Sequence, residues 1–282
     1  MKALKRVAAI HDISGFGKCS LTVALPILCA AGIETSVIPT AVLSTHTGGF
    51  EGYTFRDLSA DLPAFAQHWK SIGLSFDCMY SGFLGSQGQL ETVSEIFGMF
   101  KTQGNIVLVD PAMADNGRMY ATFTPSFAQG MASLCARADI IVPNITEAAF
   151  LLGESYRPGP YEPAYIEGLL KKLAALGVPR VVLTGVFFND GHLGAAVYDK
   201  AAGVDFTFQD KISGLYHGTG DIFASALLGA LLNGFTLTES ARIAVDFTAG
   251  SIRRTQEAGT DVRFGVNFEQ GLPAYVRSLG LL

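Results

Sequence analysis

Four short apolar segments, each with the composition of a buried strand, are followed closely by polar residues. These residues are Asp12 with Ser14, Asp110 with Asp115, Asn144 with Glu147, and Thr184 with Gly185. Because the carboxyl ends of parallel strands meet at one edge of a sheet, we expect these side chains to face a common site. Carboxylate and amide oxygens suit Mg²⁺, so this edge could hold a metal-bound phosphate.

The segment HGTGDIFASALLGALLNG, residues 217–234, is the strongest single feature of the sequence. Gly218, Thr219 and Gly220 can turn tightly and leave their backbone N–H groups exposed. The apolar helix that follows directs the positive end of its dipole at the same point, which makes an anion site. Asp221 is placed there to accept a proton from a hydroxyl group that attacks a bound phosphate. A helix cap after a glycine turn remains an alternative explanation.

Structural explanations also remain open for the other polar residues. Asn144 and Glu147 have the spacing of a capping box, in which both residues serve only to begin a helix. Asp110 and Asp115 could form turns around a proline, and Thr184 could simply end its strand. Each feature is weak alone, but together, on one predicted edge, they favour a functional site.

The segment HDISGFGKCSL near the N-terminus looks like a phosphate-binding loop. The strict P-loop pattern requires a glycine five positions before the Gly-Lys pair, and Ser or Thr after the lysine. Here Asp12 stands at the first position and Cys19 follows Lys18, so we expect the phosphates elsewhere. This segment could be only a glycine turn, and THTGGF, residues 45–50, only a loop with a solvated His46.

Alternating strands and helices must position these residues. The predicted strands are RVAAI (6–10), ETSVIPTAVL (34–43), CMYSGFL (78–84), NIVLVDP (105–111), DIIVP (139–143) and RVVLTG (180–185), and LGAAVYD (193–199) with VDFTFQD (204–210) as an antiparallel edge. The predicted helices span 18–31, 57–72, 87–102, 126–136, 145–152, 163–175, 220–233 and 237–254, with a polar loop over 112–124 and a short helix after 267. We therefore predict an α/β fold, a three-layer α/β/α sandwich with a mostly parallel central sheet.

The composition limits the class of protein. The chain has 282 residues, 49% hydrophobic and 16% charged, with a formal charge of -5, which is typical of one α/β domain, predicted over residues 1–282. It lacks a basic cluster for nucleic acid or a membrane surface. Its 4 cysteines lack a CxxC pair and are expected to be reduced. Without a signal peptide or an apolar stretch of about 20 residues, we expect a cytoplasmic protein.

Five motifs are similar to those of one known family. The most specific is GTGD (218–221), which opens a long helix. The others are VDPAMADNG (109–117), similar to the family's DPVMGD; PNITEAAFLLG (143–153), similar to its PNxxE; STHTGGF (44–50), similar to its NHT loop; and YSGF (80–83), similar to its TGY. With these motifs the chain resembles the ribokinase-like superfamily and, within it, the pyridoxal (vitamin B6) kinases, nearly from end to end.

The resemblance implies a role for each matching residue. Asp221 would be the catalytic base, with the backbone N–H groups of Gly218, Thr219 and Gly220 as the anion hole. The ATP-binding residues would be Asp110, Asp115, Asn144, Glu147 and Thr184, with Asp110 and Glu147 next to Mg²⁺. The residues of the pyridine pocket would be Asp12, Ser14, Thr45, His46, Thr47 and Phe83. The family also implies ATP and Mg²⁺ and a homodimer, and leaves the need for a monovalent cation open.

The sequence departs from the family at DxSGxG, residues 12–17. Many pyridoxal kinases carry serine where Asp12 falls, and the segment is similar to that of the hydroxymethylpyrimidine kinases of thiamine synthesis. Those enzymes, and a related group of pyridoxal kinases, often have cysteine where this chain has Asp221, so Asp221 together with HTG favours a B6 vitamer.

We predict ATP-dependent phosphorylation of the 5'-hydroxymethyl group of pyridoxal, pyridoxine or pyridoxamine, with hydroxymethylpyrimidine kinase as the alternative. A dinucleotide enzyme or a non-catalytic binding module is the more distant possibility, since GxGxxG does not follow the first strand. Residues 114–124, with Gly117, are expected to form a lid over the phosphates.

Overall fold

The computed structural model describes residues 4–121 and 123–282. The strands are β1 (Arg6–Ser14), β2 (Glu34–Leu43), β3 (Phe55–Asp57), β4 (Cys78–Ser81), β5 (Ile106–Val109), β6 (Ala114–Asp115), β7 (Arg118–Met119), β8 (Ile140–Ile141), β9 (Arg180–Val186), β10 (His192–Asp199) and β11 (Gly203–Asp210). The helices are α1 (Leu21–Ala30), α2 (Leu62–Ser71), α3 (Gln87–Phe100), α4 (Pro125–Cys135), α5 (Ile145–Leu152), α6 (Pro163–Ala174), α7 (Thr219–Leu232), α8 (Leu237–Glu257) and α9 (Leu272–Ser278).

A nine-stranded sheet forms the centre of the fold, in the order β11-β10-β9-β8-β5-β4-β1-β2-β3. The neighbours from β9 to β2 pair in parallel, while β10 and β11 form the predicted antiparallel edge. The carboxyl ends of β1, β5, β8 and β9 therefore lie along one edge of the sheet, as expected for a ligand site in such a fold.

Helices cover both faces of this sheet, which confirms the three-layer α/β/α prediction. Buried residues of α2 to α6 pack with Ile10 and Val109 on one face. Buried residues of α1, α7, α8 and α9 pack with Val7 and Leu108 on the other. The faces alternate along each strand because successive side chains point to opposite sides. Burial of one large apolar side chain contributes about 1.5–3 kcal/mol, so both faces stabilise the strands that end at the site.

Helix α1 begins at Leu21, three residues later than the sequence indicated. The preceding Gly17, Lys18 and Ser20 have φ angles of 108°, 55° and 54°, which no right-handed helix can contain. The prediction of a helix over 18–31 was therefore wrong at its start, and the glycine-rich segment forms a turn between β1 and α1. Pro26 lies inside the helix, as expected.

Two other segments differ from the prediction. Residues 55–57 form β3, which pairs antiparallel with β2, so the helix expected from residue 57 begins only at Leu62. All three β3 residues are exposed, and so short an exposed strand has no apolar periodicity to detect. The expected loop over 112–124 contains the small hairpin of β6 and β7, and the predicted lid includes residue 122, which lies outside the described residues.

Within the described ranges, every helix is too short or too polar to cross a membrane.

Candidate active site

The end of β1 brings two predicted acceptor-side residues together. Asp12 is 3% exposed, and its Oδ2 accepts a hydrogen bond from the Ser14 hydroxyl at 2.8 Å. Burial raises the pKa of Asp12, while hydrogen bonds from the side chains of Ser20 and Ser14 lower it. The result is a buried carboxylate oriented by the Ser14 hydroxyl, a suitable acceptor for a hydrogen bond from a ligand.

The start of α7 has the geometry of an anion site. Gly218, the N-cap residue, has a φ of 75°, and a Cβ there would overlap the carbonyl oxygen of Lys18, so only glycine fits. Within the described part of the chain, no side chain caps this helix, so the helix-cap explanation for Thr219 and Asp221 was wrong. The first N–H groups of a helix have no partner inside it and point along its axis, which leaves them directed at the site.

Asp221 lies in the first turn of α7. The pKa of Asp221 is raised to about 7, chiefly by burial; a backbone hydrogen bond from Ser20 lowers it and the nearby charge of Asp12 adds to the rise. A carboxylate whose pKa lies near neutrality is matched to act as a general base at physiological pH. The structure therefore combines a base of suitable pKa with an anion site on the same helical turn.

A second buried carboxylate begins α5. Glu147 and Asn144 form the complete capping box that their spacing suggested. The Glu147 oxygens accept bonds from the backbone N–H groups of Met113 at 3.1 Å and Asn144 at 2.8 Å. Burial nevertheless raises the pKa of Glu147 to about 8. The capping explanation is thus confirmed, and only the remaining lone pairs of Glu147 are free for a cation or for water.

Asp110 completes an acidic group at the ends of β5 and β8. It is 6% exposed, and its pKa is raised by burial and by the negative charges of Glu147 and Asp221. Mutual repulsion of buried carboxylates disfavours their ionised forms, and a cation between them reverses this effect. The arrangement therefore fits a divalent cation better than it fits an ion-free site.

The chain supplies few ligands for such a cation. Over the described ranges, no group of three or more His, Cys, Asp or Glu side chains has the arrangement of a metal site. Mg²⁺ in kinases is usually held by one or two carboxylates, with waters and substrate phosphates as its other ligands. Asp110 and Glu147 fit this limited role.

The β6–β7 hairpin brings Asp115 towards the same group. Its two carboxylate oxygens accept bonds from the backbone N–H of Asn116 at 2.8 Å and from its side-chain amide at 3.0 Å. This local turn agrees with the turn-former explanation. The hairpin packs against the start of α5, where the Asn144 side-chain amide donates to the Ala114 carbonyl at 2.9 Å, and the charge of Asp115 raises the pKa of Glu147.

Tyr120, which follows the hairpin, was missed by the sequence analysis. Although it is 41% exposed, its pKa is raised by desolvation and by the charges of four carboxyl groups, those of Glu147, Asp115, Asp110 and Asp221. The phenol therefore faces the acidic group from the hairpin side. The sequence signal was only a tyrosine in a polar loop, which is too common to single out.

Thr184 lies beside the capping box. It forms a parallel bridge with Asn144, and its backbone N–H donates to the carbonyl of Pro143 at 2.9 Å. The strand β9 continues to Val186, so the explanation that Thr184 merely ends its strand was wrong. Thr184 and Asn144 thus meet at the carboxyl edge, as predicted.

The predicted NHT-like loop is ordered by His46. Its Nε2 donates to the carbonyl of Arg263 at 2.7 Å, and its Nδ1 accepts the N–H of Gly48 at 3.1 Å. These partners assign a neutral ring with the proton on Nε2, in agreement with a pKa lowered by burial. His46 is 6% exposed, so the suggestion of a solvated loop histidine was wrong.

The neighbours of His46 differ in their surroundings. The buried hydroxyl of Thr45 finds no hydrogen-bond partner among the described residues, whereas Thr47 is exposed. A buried hydroxyl without a partner is unfavourable by about 1–3 kcal/mol, so Thr45 has a donor and an acceptor to offer to a ligand. The ring of His46 also lies 5.1 Å from that of His217, between centroids.

Aromatic rings near the predicted pocket residues form two clusters. Phe83 packs against Phe123 with ring centroids 5.6 Å apart. In the second cluster, the ring of Phe16 lies 5.0 Å from Phe264 and 6.1 Å from Phe50. Only Phe83 had been predicted: Phe16 and Phe50 lie in the two loops named in the sequence analysis but were not singled out there, and Phe264 comes from a segment distant in sequence. Such rings suit a flat aromatic ligand.

Comparisons with known proteins agree with this geometry. A family model described as phosphomethylpyrimidine kinase matches residues 32–265. The chain belongs to this kinase family. A Bacteroides thetaiotaomicron protein assigned to the phosphomethylpyrimidine kinases and crystallised with pyridoxal has a TM-score of 0.92 and 33% identity to this kinase, over 96% of each chain. Pyridoxal kinase from Lactobacillus plantarum has a TM-score of 0.89 and 31% identity, over 98% of each chain.

A curated relative carries the other substrate name. Hydroxymethylpyrimidine/phosphomethylpyrimidine kinase from Bacillus subtilis is 25% identical over 225 residues, which cover 78% of this kinase and 79% of the relative. The ribokinase-like fold and the kinase activity expected from the motifs are thus confirmed. The dinucleotide-enzyme and non-catalytic alternatives were wrong.

Proposed function

We propose that this kinase uses ATP and Mg²⁺ to phosphorylate the 5'-hydroxymethyl group of a B6 vitamer, namely pyridoxal, pyridoxine or pyridoxamine. The observation that carries the proposal is Asp221, a carboxyl group whose pKa burial raises to about 7, on the first turn of a helix that also provides an anion site. Two solved structures over 30% identical to this chain, one with bound pyridoxal and one named a pyridoxal kinase, support the choice of vitamer.

The proposed reaction is a direct transfer of the γ-phosphoryl group. Asp221 accepts the proton of the attacking hydroxyl group, and the N–H groups of Gly218, Thr219 and Gly220 stabilise the charge on the transferred group. Bound Mg²⁺ would neutralise charge on the phosphate oxygens, with Asp110 and Glu147 holding it. A positioned base typically contributes 10²- to 10⁴-fold to the rate.

The remaining predicted residues divide between the two substrates. Asn144 and Thr184 adjoin the metal side and would contact ATP, as would Asp115 on the hairpin. Asp12 with Ser14, the Thr45–Thr47 segment and Phe83 would form the vitamer pocket, with hydrogen bonds to ring substituents and stacking on the ring. The buried Thr45 hydroxyl, which has no hydrogen-bond partner in the part of the chain that the structure describes, supports this division.

A hydroxymethylpyrimidine kinase is the second candidate. The family model and the Bacillus subtilis relative carry that substrate name, and Asp12 lies in a segment similar to those enzymes. Both substrates are flat aromatic rings that bear a hydroxymethyl group, so the fold serves either. A competition assay with both acceptors distinguishes the two candidate functions. The proposal expects a higher kcat/KM for a vitamer, and a preference for hydroxymethylpyrimidine overturns it.

We also propose that two copies of the chain associate. The edge of the sheet at β3 exposes apolar side chains, with Phe55 49%, Val42 41% and Tyr53 36% exposed. Exposed apolar patches at a sheet edge favour association with another chain. Light scattering should give the mass of a dimer that Phe55→Ser weakens; a monomer at micromolar concentration contradicts this assignment.

A further inference from the structure

The turn between β1 and α1 has an unusual backbone. Lys18 and Ser20 have φ angles of 55° and 54°, a region that residues with side chains seldom adopt. Such conformations persist only where the surrounding structure fixes them, and they concentrate at functional sites. This turn lies against the site. Ser20 forms an antiparallel bridge with Ile13, which stands between Asp12 and Ser14, and the carbonyl of Lys18 packs so closely on Gly218 that a Cβ there would overlap it.

The Lys18 side chain points away from the site and towards residues 261–269, which we call the C-terminal strap. Its ammonium group donates to Asn267 Oδ1 at 3.1 Å, to Glu269 Oε2 at 3.1 Å and to the carbonyl of Val266 at 3.4 Å. These contacts occupy all three donors of the ammonium group. Lys18 thus joins the turn to a segment almost 250 residues further along the chain.

Asn267 is itself fixed to the long helix α8. Its carbonyl accepts from Arg254 Nε at 2.9 Å and its N–H donates to Thr255 Oγ1 at 2.7 Å. Its side-chain amide also donates to Thr260 Oγ1 at 2.9 Å. Lys18 therefore binds to a residue that is held in place on every side, rather than to a mobile surface group.

The strap contacts the acceptor side at two further points. The Arg263 carbonyl accepts the proton of His46 Nε2, and Gly265 lies so close to the Gly17 carbonyl that a Cβ at 265 would overlap it. The Lys18–Glu269 ion pair alone would contribute little, since the two side chains are 29% and 51% exposed and exposed pairs are weak. The contact with Asn267 and the close backbone packing distinguish this site from an ordinary surface ion pair.

We propose that Lys18 is a positioning residue, which holds the turn against the C-terminal strap so that the Lys18 carbonyl stays packed on Gly218 at the start of α7 and Ser20 stays bridged to Ile13, between Asp12 and Ser14. Lys18 does not touch either substrate. The inference rests on the proposed function in one respect, namely that Asp221 and Asp12 serve the acceptor. It predicts that loss of the ammonium group impairs use of the acceptor and leaves ATP binding intact, because the ATP-side residues lie on other segments, namely the end of β5, β6, the start of α5 and β9.

The kinetic test compares Lys18→Met and Lys18→Arg with the control Lys172→Met. Lys172 lies on α6, and its replacement breaks an exposed ion pair with Glu154. Since small displacements of catalytic groups can cost up to 10²-fold, we expect kcat/KM for the acceptor to fall at least about 10-fold in Lys18→Met. The KM for ATP should stay within about 2-fold, Lys18→Arg should recover most of the loss, and Lys172→Met should match the wild type. Equal effects on both substrates, or no effect, overturn the proposal.

Amide hydrogen exchange gives a second readout that needs no substrate. Peptides that cover residues 15–21 and 262–269 should exchange faster in Lys18→Met than in the wild type or in Lys172→Met. Unchanged exchange overturns the proposal, and so does faster exchange without the acceptor-specific loss. If the wild type uses another acceptor, the proposed function fails and the kinetic test is run with that acceptor. If it uses none, exchange alone decides whether Lys18 holds the turn.

Discussion

Replacement of Asp221 by asparagine separates its chemical role from its structural one. Asparagine keeps the shape of the side chain but cannot accept a proton at neutral pH. We expect kcat to fall by about 10²- to 10⁴-fold, with the KM of the acceptor changed by less than about 3-fold, because the base acts on the transition state.

The same variant should be more stable at alkaline pH. Burial raises the pKa of Asp221 from 3.8 to about 7, so above pH 7 its ionised form disfavours the folded state by on the order of 4 kcal/mol. Water at this half-buried position and the favourable dipole of α7, worth about 0.3–1 kcal/mol, reduce this figure. We expect a net gain of roughly 1–3 kcal/mol, or a rise in Tm of about 2–8 °C at pH 8.

The size of the effect depends on pH. The folded protein retains a proton that the unfolded chain releases near pH 4, so the destabilisation is absent below that pH and complete only above about pH 7. Melting curves of the wild type, Asp221→Asn and the exposed control Asp190→Asn at pH 5 and pH 8 measure it, beside steady-state kinetics. A kcat within 10-fold of the wild type, or a Tm that falls at pH 8, would refute the assignment.

Three other changes test separate parts of the account. Glu147→Gln should raise the Mg²⁺ concentration for half-maximal activity at least about 10-fold, whereas Glu239→Gln, in the remote capping box of α8, should not; equal shifts contradict a metal role. In Gly17→Ala the new Cβ would overlap His46, so the KM of the acceptor should rise. The control Gly234→Ala, also at a positive φ but with open space around it, should only lower Tm. An unchanged KM in Gly17→Ala would count against the His46 contact. His11, whose pKa burial lowers to about 3, must stay neutral in the fold, so the stability this provides above about pH 6.5 is lost as pH falls towards 3. His11→Phe should therefore lose less Tm between pH 7 and pH 4.5 than the wild type, and equal losses would show that His11 does not titrate on unfolding.

The sequence predicted the sheet and most of the site because their signals are local. Strands such as NIVLVDP are continuous apolar runs, and residues that follow them must meet at the carboxyl edge of a parallel sheet. Asp12, Asp110, Asn144 and Thr184 therefore could be grouped without a structure. The capping box of α5 was also visible from the spacing of Asn144 and Glu147, although spacing alone could not show that capping leaves lone pairs for a cation.

The features that were missed depend on contacts distant in sequence. Phe264 and Arg263 reach the His46 loop from the C-terminal strap, and Tyr120 faces carboxylates from four different segments. Lys18 looked like part of a nucleotide loop, but its positive φ and its bonds to Asn267 show a role in holding the turn. Side-chain direction and backbone strain of this kind arise from tertiary packing, for which a single sequence carries no periodic signal.

The central claim is tested most directly by ADP formation from ATP with the purified protein and each acceptor in turn. Pyridoxal, pyridoxine, pyridoxamine, hydroxymethylpyrimidine and simple sugars form the panel, with Asp221→Asn as the inactive reference. The account predicts the highest kcat/KM for a B6 vitamer and a product phosphorylated at the 5'-hydroxymethyl oxygen. A higher kcat/KM for hydroxymethylpyrimidine or for a sugar, or equal rates for the wild type and Asp221→Asn, would contradict it.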